Sequence, residues 1–288
     1  MPATRTSAAL GSYVFLTTIT LAITAAEWLS GTSPQSVARR SEAPVEVTDV
    51  DHRRIVDARL SPYVAVGKFK GTMTCTAAVI LHPRIIITAG HCITERDGTT
   101  KRSNLSFRLG YQAGTDLGRF EAKVWAVGSK QSFERQSVHD ASQDWAILVL
   151  DRAPKGVVPF LLSHRSFGTL KSRKRQFLMP SYSNDIDNAD VLSVDPNCSI
   201  RDLVWDVLVH DCRAQHGSSG APLLMQDRLQ YMVVGIHTGS MFASDDDGRV
   251  VKFVGYRAIG SWMFSEALLA LARQLNGEAF QEIHTPTY

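Results

Sequence analysis

A glycine-rich turn in the last third of the chain carries a serine suited to nucleophilic catalysis. Residues Gly217–Pro222 have the sequence Gly-Ser-Ser-Gly-Ala-Pro, and apolar residues follow at once. Glycine tolerates the backbone angles of a tight turn, which exposes the serine at a cleft. Neighbouring backbone N–H groups can then converge where an oxyanion forms during acyl transfer. The turn therefore predicts a nucleophile at Ser219, although serine–glycine turns taken alone are common.

Two other segments supply a base and a carboxylate. Ile85–Cys92 has the sequence Ile-Ile-Ile-Thr-Ala-Gly-His-Cys, so that a β-branched strand leads to His91. Gln143–Leu150 places Asp144 at the start of another apolar strand. An imidazole titrates close to neutral pH and can take a hydroxyl proton, while a carboxylate can fix its tautomer. The chain thus contains base, orienting group and nucleophile in the order His, Asp, Ser.

These segments resemble the motifs of chymotrypsin-fold (trypsin-like) serine peptidases, in particular secreted bacterial members such as the glutamyl endopeptidases. Thr88–Cys92 is similar to the family's Thr-Ala-Ala-His-Cys. Asp144–Leu148 is similar to its Asp-Ile-Ala-Leu-Leu, and Gly217–Pro222 to its Gly-Asp-Ser-Gly-Gly-Pro. The similarity covers the chain from about Tyr63 to Ala272.

The resemblance implies a role for each of these residues. Ser219 would attack a peptide carbonyl to give an acyl-enzyme, His91 would transfer the proton, and Asp144 would orient the imidazole. The backbone N–H groups of Gly217 and Ser219 would form the oxyanion hole. Asp140 lies close by in sequence and is the substitute candidate for the carboxylate.

Ser218 departs from the family pattern. In trypsin-like zymogens this position is an aspartate, which pairs with the amino terminus that activation releases. Arg53–Val56 resembles the activation site of these zymogens, but with Ser218 the chain has no aspartate to pair with a released amino terminus. We therefore expect Arg54-Ile55 to be a strand entry or an exposed processing site, and the nucleophile turn to be ordered by local hydrogen bonds.

The substrate pocket is expected along Val233–Gly239, which resembles the strand beside the substrate backbone. His237 would face the pocket, as in glutamyl endopeptidases, where a histidine receives an acidic side chain. Thr238 would support Asp144 with its hydroxyl. Arg213 occupies the position of the family's pocket-base residue, so two positive groups would attract a carboxylate.

Alternatives remain for these specificity residues. His237 could pack against the pocket wall, and Arg213 could turn outward beside Asp211. His216 precedes the nucleophile turn and would border the substrate cleft.

Four cysteines allow three disulfide pairings. The family pattern pairs Cys75 with Cys92, which leaves Cys198 to pair with Cys212. Neither Cys-x-x-Cys nor His-x-x-x-His spacing supports a zinc site. We expect no metal and no other cofactor.

The composition is that of a globular protein, with 44% hydrophobic and 20% charged residues among 288. A net charge of +3 is too small to imply nucleic acid binding. Residues 1–26 predict a signal peptide, with Arg5, an uncharged stretch over Leu10–Ala26 and small residues at its end. A membrane anchor is the alternative, but the stretch is shorter than the ~20 apolar residues of a span. We expect a secreted or periplasmic monomer without stable membrane association after cleavage.

Residues 27–54 are poor in large apolar residues and predict a propeptide or flexible leader. Residues 55–288 predict one all-β domain, because many short β-branched runs are separated by turn residues. The family fold implies two antiparallel six-stranded β-barrels, at about 55–155 and 170–260. Trp262–Leu275 has apolar residues at helical spacing and predicts a C-terminal helix, about 262–276, which Gly277 would end.

The sequence thus predicts a secreted serine endopeptidase that acts on protein or peptide substrates, with a preference for acidic residues before the cleaved bond. The rival interpretation is a catalytically inactive trypsin-like binding module.

Two further features have no assigned role in catalysis. The basic run Lys171–Arg175 is expected to be a solvated loop between the barrels, and Asp245–Gly248 a solvent-facing hairpin turn.

Overall fold

Strands make up most of the computed structural model, which describes residues 51–128, 141–244 and 249–284. These residues lie within one compact unit. The predicted signal peptide, most of the predicted leader, Asp140 and Asp245–Gly248 lie outside the described residues. The strands are β1 Arg54–Ile55, β2 Val66–Lys70, β3 Thr74–Val79, β4 Ile85–Thr88, β5 Ser106–Leu109, β6 Gly118–Val127, β7 Ala146–Leu150, β8 Leu161–Leu162, β9 Phe177–Ser181, β10 Ser193–Cys198, β11 Ile200–Val204, β12 Val207–His210, β13 Pro222–Asp227, β14 Gln230–Ser244 and β15 Val250–Gly260. The α-helices are α1 Phe167–Ser172 and α2 Ser265–His284.

The first half forms a closed barrel in the strand order β2-β3-β4-β7-β6-β5, with antiparallel pairing throughout. Closure leaves no unpaired strand edge. All four residues of β4 are buried, which agrees with its unbroken run of apolar residues. The predicted first barrel is confirmed.

The second half forms a nine-stranded sheet. Its strands follow the path β1-β10-β9-β13-β14-β15-β12-β11, and β8 pairs with β14 in parallel. The six inner strands lie within the range predicted for the second barrel, about 170–260, and β1 and β11 extend the sheet at its two ends. Trp205 and Asp206 adopt positive φ angles and form the turn between β11 and β12.

Helix α2 packs against the first barrel through the predicted apolar face. Leu268 of α2 and Phe264, which directly precedes the helix, are buried in the same core as β4 and β7, and the rings of Phe264 and Trp145 lie 6.4 Å apart. The predicted end of the helix at Gly277 is wrong, since α2 continues to His284. A glycine inside a helix costs only about 1 kcal/mol, which the packing of one face can outweigh.

The basic run also differs from the expected loop, because Lys171 lies in helix α1. Ser166 caps this helix by accepting a hydrogen bond from the Thr169 N–H. Among the described residues, no helix is both long and apolar enough to span a membrane.

Candidate active site

His91 and Asp144 come together because their strands are neighbours in the first barrel. Thr88 at the end of β4 lies opposite Ala146 at the start of β7. Antiparallel pairing therefore brings the segment after β4 and the segment before β7 to the same end of the barrel. His91 lies in a short 3₁₀ turn three residues beyond Thr88. The Nδ1 atom of His91 lies 2.8 Å from Asp144 Oδ2, and its backbone N–H donates to Asp144 Oδ1 at 2.8 Å.

Asp144 is buried, with 1% of its surface exposed. Burial by itself raises the pKa of a carboxyl, but the charge and hydrogen bonds of His91 outweigh it, and the pKa of Asp144 lies below its ordinary value. The positive charge of Arg257 acts in the same direction. Asp144 is therefore an ionised acceptor that fixes the proton of His91 on Nδ1 and leaves Nε2 as the atom able to accept a proton.

The turn that carries Ser219 joins the second sheet to the first barrel. Gly217 and Gly220 have φ angles of +93° and +83°, and a Cβ atom on Gly217 would lie 2.3 Å from the Tyr182 carbonyl oxygen. Thr76, a buried residue of β3, donates its backbone N–H to Ser219 O at 2.9 Å and its hydroxyl to Gly217 O at 2.9 Å. The same hydroxyl accepts the Tyr182 N–H at 3.0 Å. A strand of one half thus fixes the nucleophile turn of the other.

Hydrogen bonds to the carbonyls of this turn also orient its N–H groups. The His216 carbonyl accepts the Asn184 N–H at 2.7 Å, and the Ser218 carbonyl accepts the Ala221 N–H at 2.9 Å. In a trans peptide the N–H points opposite to the carbonyl. The N–H groups of Gly217 and Ser219 are therefore turned away from these partners, and within the described chain neither donates to another backbone carbonyl.

Ser218 is fully buried, and its hydroxyl donates to the Ser181 hydroxyl at 3.1 Å. Its N–H donates to the Gln215 carbonyl at 3.0 Å. The turn is therefore ordered by hydrogen bonds, as expected, but only the bond to Gln215 is local, because Ser181 and Thr76 are distant in sequence. Arg54-Ile55 forms the short strand β1, whose Ile55 is 59% exposed, as expected for a strand entry.

A cleft of about 670 Å³ brings most of the predicted site residues together. They share access to this space because the end of the first barrel faces the nucleophile turn and strand β14. The predicted residues that line the cleft are His91, His216, Gly217, Ser219, His237 and Thr238. Gly239, from the expected pocket strand, lines it as well, together with Asn184 and Ser240, which no sequence motif singles out.

His237 is one of two adjacent buried histidines beside the cleft. Its Nδ1 lies 3.2 Å from Nε2 of His210, and both rings contact Tyr256. Because the His210 Nδ1 accepts the Cys212 N–H at 3.2 Å, a neutral His210 carries its proton on Nε2 and donates it to His237. A neutral His237 then carries its own proton on Nε2. No local sequence signal predicts this pairing, because the two residues meet only through their common neighbour β15.

Both histidines are neutral at physiological pH. Desolvation lowers the pKa of His210 to about 3. Burial also lowers the pKa of His237 well below its ordinary value, and the charges of His210, His91 and Arg257 act in the same direction. His237 therefore offers a hydrogen-bond donor rather than the positive charge that the sequence suggested.

Two expected contacts differ in the structure. The Thr238 hydroxyl is buried and has no hydrogen-bond partner among the described residues, so the expected bond to Asp144 is wrong. Arg213 does not belong to the cleft lining; its Nε lies 3.4 Å from Asp51 Oδ2. Arg96 lines the cleft, and Arg257 lies behind its wall, where the guanidinium would be 3.2 Å from a Cβ atom on Gly239.

Both predicted disulfides are present. Cys75 is bonded to Cys92 and Cys198 to Cys212, with S–S distances of 2.01 and 2.08 Å. Cys75, Cys92 and His91 lie close enough to suggest a metal site. The two sulfurs are bonded to each other, however, and cannot act as the thiolates that such a site needs.

Comparison with known proteins identifies the family and the fold of the chain. The family model described as trypsin matches residues 52–262. The chain belongs to the trypsin family. This trypsin-family chain is also similar in fold to a Glu endopeptidase solved in complex with MPD, with a TM-score of 0.56 and 19% identity over 78% of this chain and 98% of that chain. No curated protein sequence matches it.

Proposed function

We propose that this trypsin-family protein is a secreted serine endopeptidase whose acyl-enzyme forms on Ser219. The observation that carries the proposal is the hydrogen bond of 2.8 Å between His91 and Asp144 at a cleft that Ser219 also lines. His91 Nε2 takes the Ser219 hydroxyl proton as the oxygen attacks the peptide carbonyl carbon. The oxyanion of the tetrahedral intermediate accepts hydrogen bonds from the N–H groups of Gly217 and Ser219.

The remaining steps reuse the same groups. Collapse of the tetrahedral intermediate breaks the C–N bond, and the imidazolium of His91 gives its proton to the leaving amine. A water molecule then attacks the acyl carbon, losing a proton to His91. Collapse of the second intermediate returns the proton to the Ser219 oxygen and releases the carboxylic acid.

Covalent labelling with a fluorophosphonate probe tests this proposal, because the probe reacts with an activated serine. We expect the wild-type protein to label and Ser219→Ala to remain unlabelled. Ser218→Ala is the matched control, since it removes the neighbouring hydroxyl, and it should still label. A wild-type protein that is folded but does not label would instead favour the inactive binding module.

We also propose a preference for an acidic residue before the cleaved bond. The Nε2–H of His237 is a donor at the cleft, held in its tautomer by His210. A side-chain carboxylate can accept this proton, whereas a lysine or arginine offers only donors and an apolar side chain leaves it unpaired. The guanidinium of Arg257 behind Gly239 adds positive potential near the same wall. The protein of similar fold is a Glu endopeptidase by name, which is consistent with this preference.

A peptide library that varies only this residue measures the preference. We expect kcat/KM for glutamate to exceed that for glutamine by at least about tenfold, the factor for one charge-assisted hydrogen bond of ~1.5 kcal/mol. His237→Ala should reduce the glutamate rate most. Equal cleavage after alanine, leucine and glutamate would contradict the preference while leaving the acyl-enzyme mechanism intact.

Export is part of the proposal. Two disulfides favour an oxidising compartment, and the first 26 residues have the pattern of a signal peptide. Amino-terminal sequencing of protein recovered from the periplasm or the medium should give a chain that starts after Ala26. Full-length protein retained in the cytoplasm would contradict export.

A further inference from the structure

The side chain of Arg53 is buried against the segment Ser183–Asp185. Only 2% of it is exposed, although it belongs to a segment at the edge of the domain. Its Nη2 donates to Asp51 Oδ2 at 2.6 Å and to Asp185 Oδ2 at 2.5 Å. Its Nη1 donates to Asp185 Oδ1 and Ser183 Oγ, both at 3.0 Å. A planar guanidinium held by two carboxylates at once fixes both of them in direction as well as in distance.

Asn184 lies between Ser183 and Asp185 in the sequence. Its backbone N–H donates to the His216 carbonyl at 2.7 Å, and its side chain lies 3.1 Å from the position of a Cβ atom on Gly217. The His216 carbonyl belongs to the peptide unit that carries the Gly217 N–H. If this peptide rotated, the N–H would leave the oxyanion site and the carbonyl would take its place. Asn184 therefore sets the direction of one oxyanion donor.

We propose that Arg53 is a positioning residue for the oxyanion hole. It clamps Ser183 and Asp185, these hold Asn184, and Asn184 holds the His216–Gly217 peptide. The inference rests on the proposed function, and it goes further by assigning a catalytic effect to the segment before strand β1. In this chain Ser218 has no charge to receive a released amino terminus, so the ordering cation comes from an internal arginine instead.

In trypsin-like zymogens, cleavage at the position of Arg54-Ile55 activates the enzyme, whereas in this chain we expect the opposite. Arg54 and Ile55 are exposed, so the peptide bond between them is accessible to a protease. Cleavage there would break the covalent link between Arg53 and the domain that begins at Ile55. Arg53 would then be held only by its ion pairs, its hydrogen bond to Ser183 and the pairing of Arg54 with Val194. We therefore expect cleavage to lower activity, and the active chain to begin before Asp51 rather than at Ile55. The leader predicted to end at residue 54 would accordingly end earlier.

Arg53→Gln tests the clamp, with Arg54→Gln as the matched control on the exposed neighbour. We expect kcat of Arg53→Gln to fall roughly 10- to 100-fold, below the 10²–10³ for complete loss of a donor, because the peptide still samples the correct orientation. Since the peptide contacts the oxyanion rather than the bound substrate, KM should change less than about threefold. Fluorophosphonate labelling should slow in the same proportion as kcat. Arg54→Gln should match the wild type, and Arg53→Lys should recover only part of the rate, because an ammonium cannot bind two carboxylates in the same planar way.

Asp185→Asn provides a second test if Arg53→Gln does not fold, since it keeps the side-chain shape and weakens the same link. We expect a smaller decrease in kcat with the same unchanged KM. A folded Arg53→Gln protein with wild-type kcat and labelling rate would overturn this inference alone. An active mature enzyme that begins at Ile55 would overturn it as well. A wild-type protein that never labels would overturn the proposed function and this inference together.

Discussion

His91 and Asp144 are placed by two adjacent strands of one barrel, whereas Ser219 is placed by segments from distant parts of the sequence. Thr88 and Ala146 lie opposite each other, so the histidine and the aspartate meet through strand register. The nucleophile turn instead depends on the hydroxyl of Thr76, which lies 141 positions away from the Gly217 carbonyl that it binds. The first arrangement is rigid because the barrel is closed. The second is only as well ordered as the contact between the two halves.

This contrast predicts that substitutions in the His91–Asp144 pair lower catalytic activity but leave the fold unchanged. Asp144→Asn keeps the shape of the side chain but removes the charge that stabilises the imidazolium and fixes its tautomer. We expect kcat to fall by about 10⁴, the loss found when the equivalent carboxylate function is removed in a serine peptidase of this fold. Steady-state kinetics at neutral pH measures the effect, and circular dichroism checks that the fold is kept. Activity within tenfold of the wild type would show that another group, such as Asp140, supplies the carboxylate.

Substitutions that disturb the hydrogen bonds of the nucleophile turn should lower both catalytic activity and the free energy of unfolding. Thr76→Val keeps the side-chain volume but leaves the Gly217 carbonyl and the Tyr182 N–H without their buried partner. An unsatisfied buried group costs about 1–3 kcal/mol, so a lower free energy of unfolding is expected. We also expect kcat/KM to fall roughly 10- to 100-fold, less than the 10²–10³ for complete loss of an oxyanion donor. Urea unfolding and peptide hydrolysis measure both effects.

The matched control for this variant is Thr115→Val, which removes an exposed hydroxyl bonded only within its own turn. It should change neither stability nor rate measurably. If Thr76→Val and Thr115→Val behave alike, the contact between the two halves does not hold the nucleophile turn.

The buried pair of His210 and His237 makes the free energy of unfolding depend on pH. An unfolded histidine takes up a proton below pH 6.5, whereas folded His210 stays neutral down to a pKa of about 3. The unfolded state therefore binds more protons between these values, and stability is lost as pH falls from about 6.5 towards 3. The loss amounts to as much as about 1.4 kcal/mol per pH unit for each such histidine.

His210→Gln should flatten this dependence by about one proton when urea unfolding is followed between pH 7.5 and 5. Exposed His164 offers the control, and His164→Gln should leave the slope unchanged. An unchanged slope in His210→Gln would show that the proton uptake on unfolding comes from other groups.

The smallest expected effect lies outside both arrangements. Gly277 is inside helix α2, and a Cβ atom there would meet nothing within 4 Å. Gly277→Ala should raise the free energy of unfolding by about 0.5–1 kcal/mol through lower backbone entropy in the unfolded chain. Activity should not change. A decrease in stability would indicate that the helix ends earlier, as its sequence suggests.

The same contrast explains which features the sequence could predict. His91, Asp144 and Ser219 stand in short local motifs with characteristic neighbours, and the β-branched run before His91 predicts its strand directly. Thr76, Asn184 and Arg53 have no such context, because their roles arise from hydrogen bonds between residues far apart in sequence. The pairing of His210 with His237 is recognisable only when both flank strand β15.

The errors have equally specific physical causes. The charge expected of His237 is removed by desolvation, which depends on the full three-dimensional surroundings of the ring. The distance of Arg213 from Ser219 along the chain predicts a place in the pocket, but Asp51 provides a counter-ion on the other side. Helix α2 passes Gly277, the residue predicted to end it.

The bond between Thr76 and the nucleophile turn has a consequence for the biosynthesis of the enzyme. The strands of the closed barrel, the base and the carboxylate all lie before residue 151, but the attacking hydroxyl is set in place only when the later part of the chain has folded onto β3. Under the proposed function, a growing polypeptide therefore has no competent nucleophile. Completion of the tertiary structure would itself restrain premature self-digestion, without any need for a separate inhibitory segment.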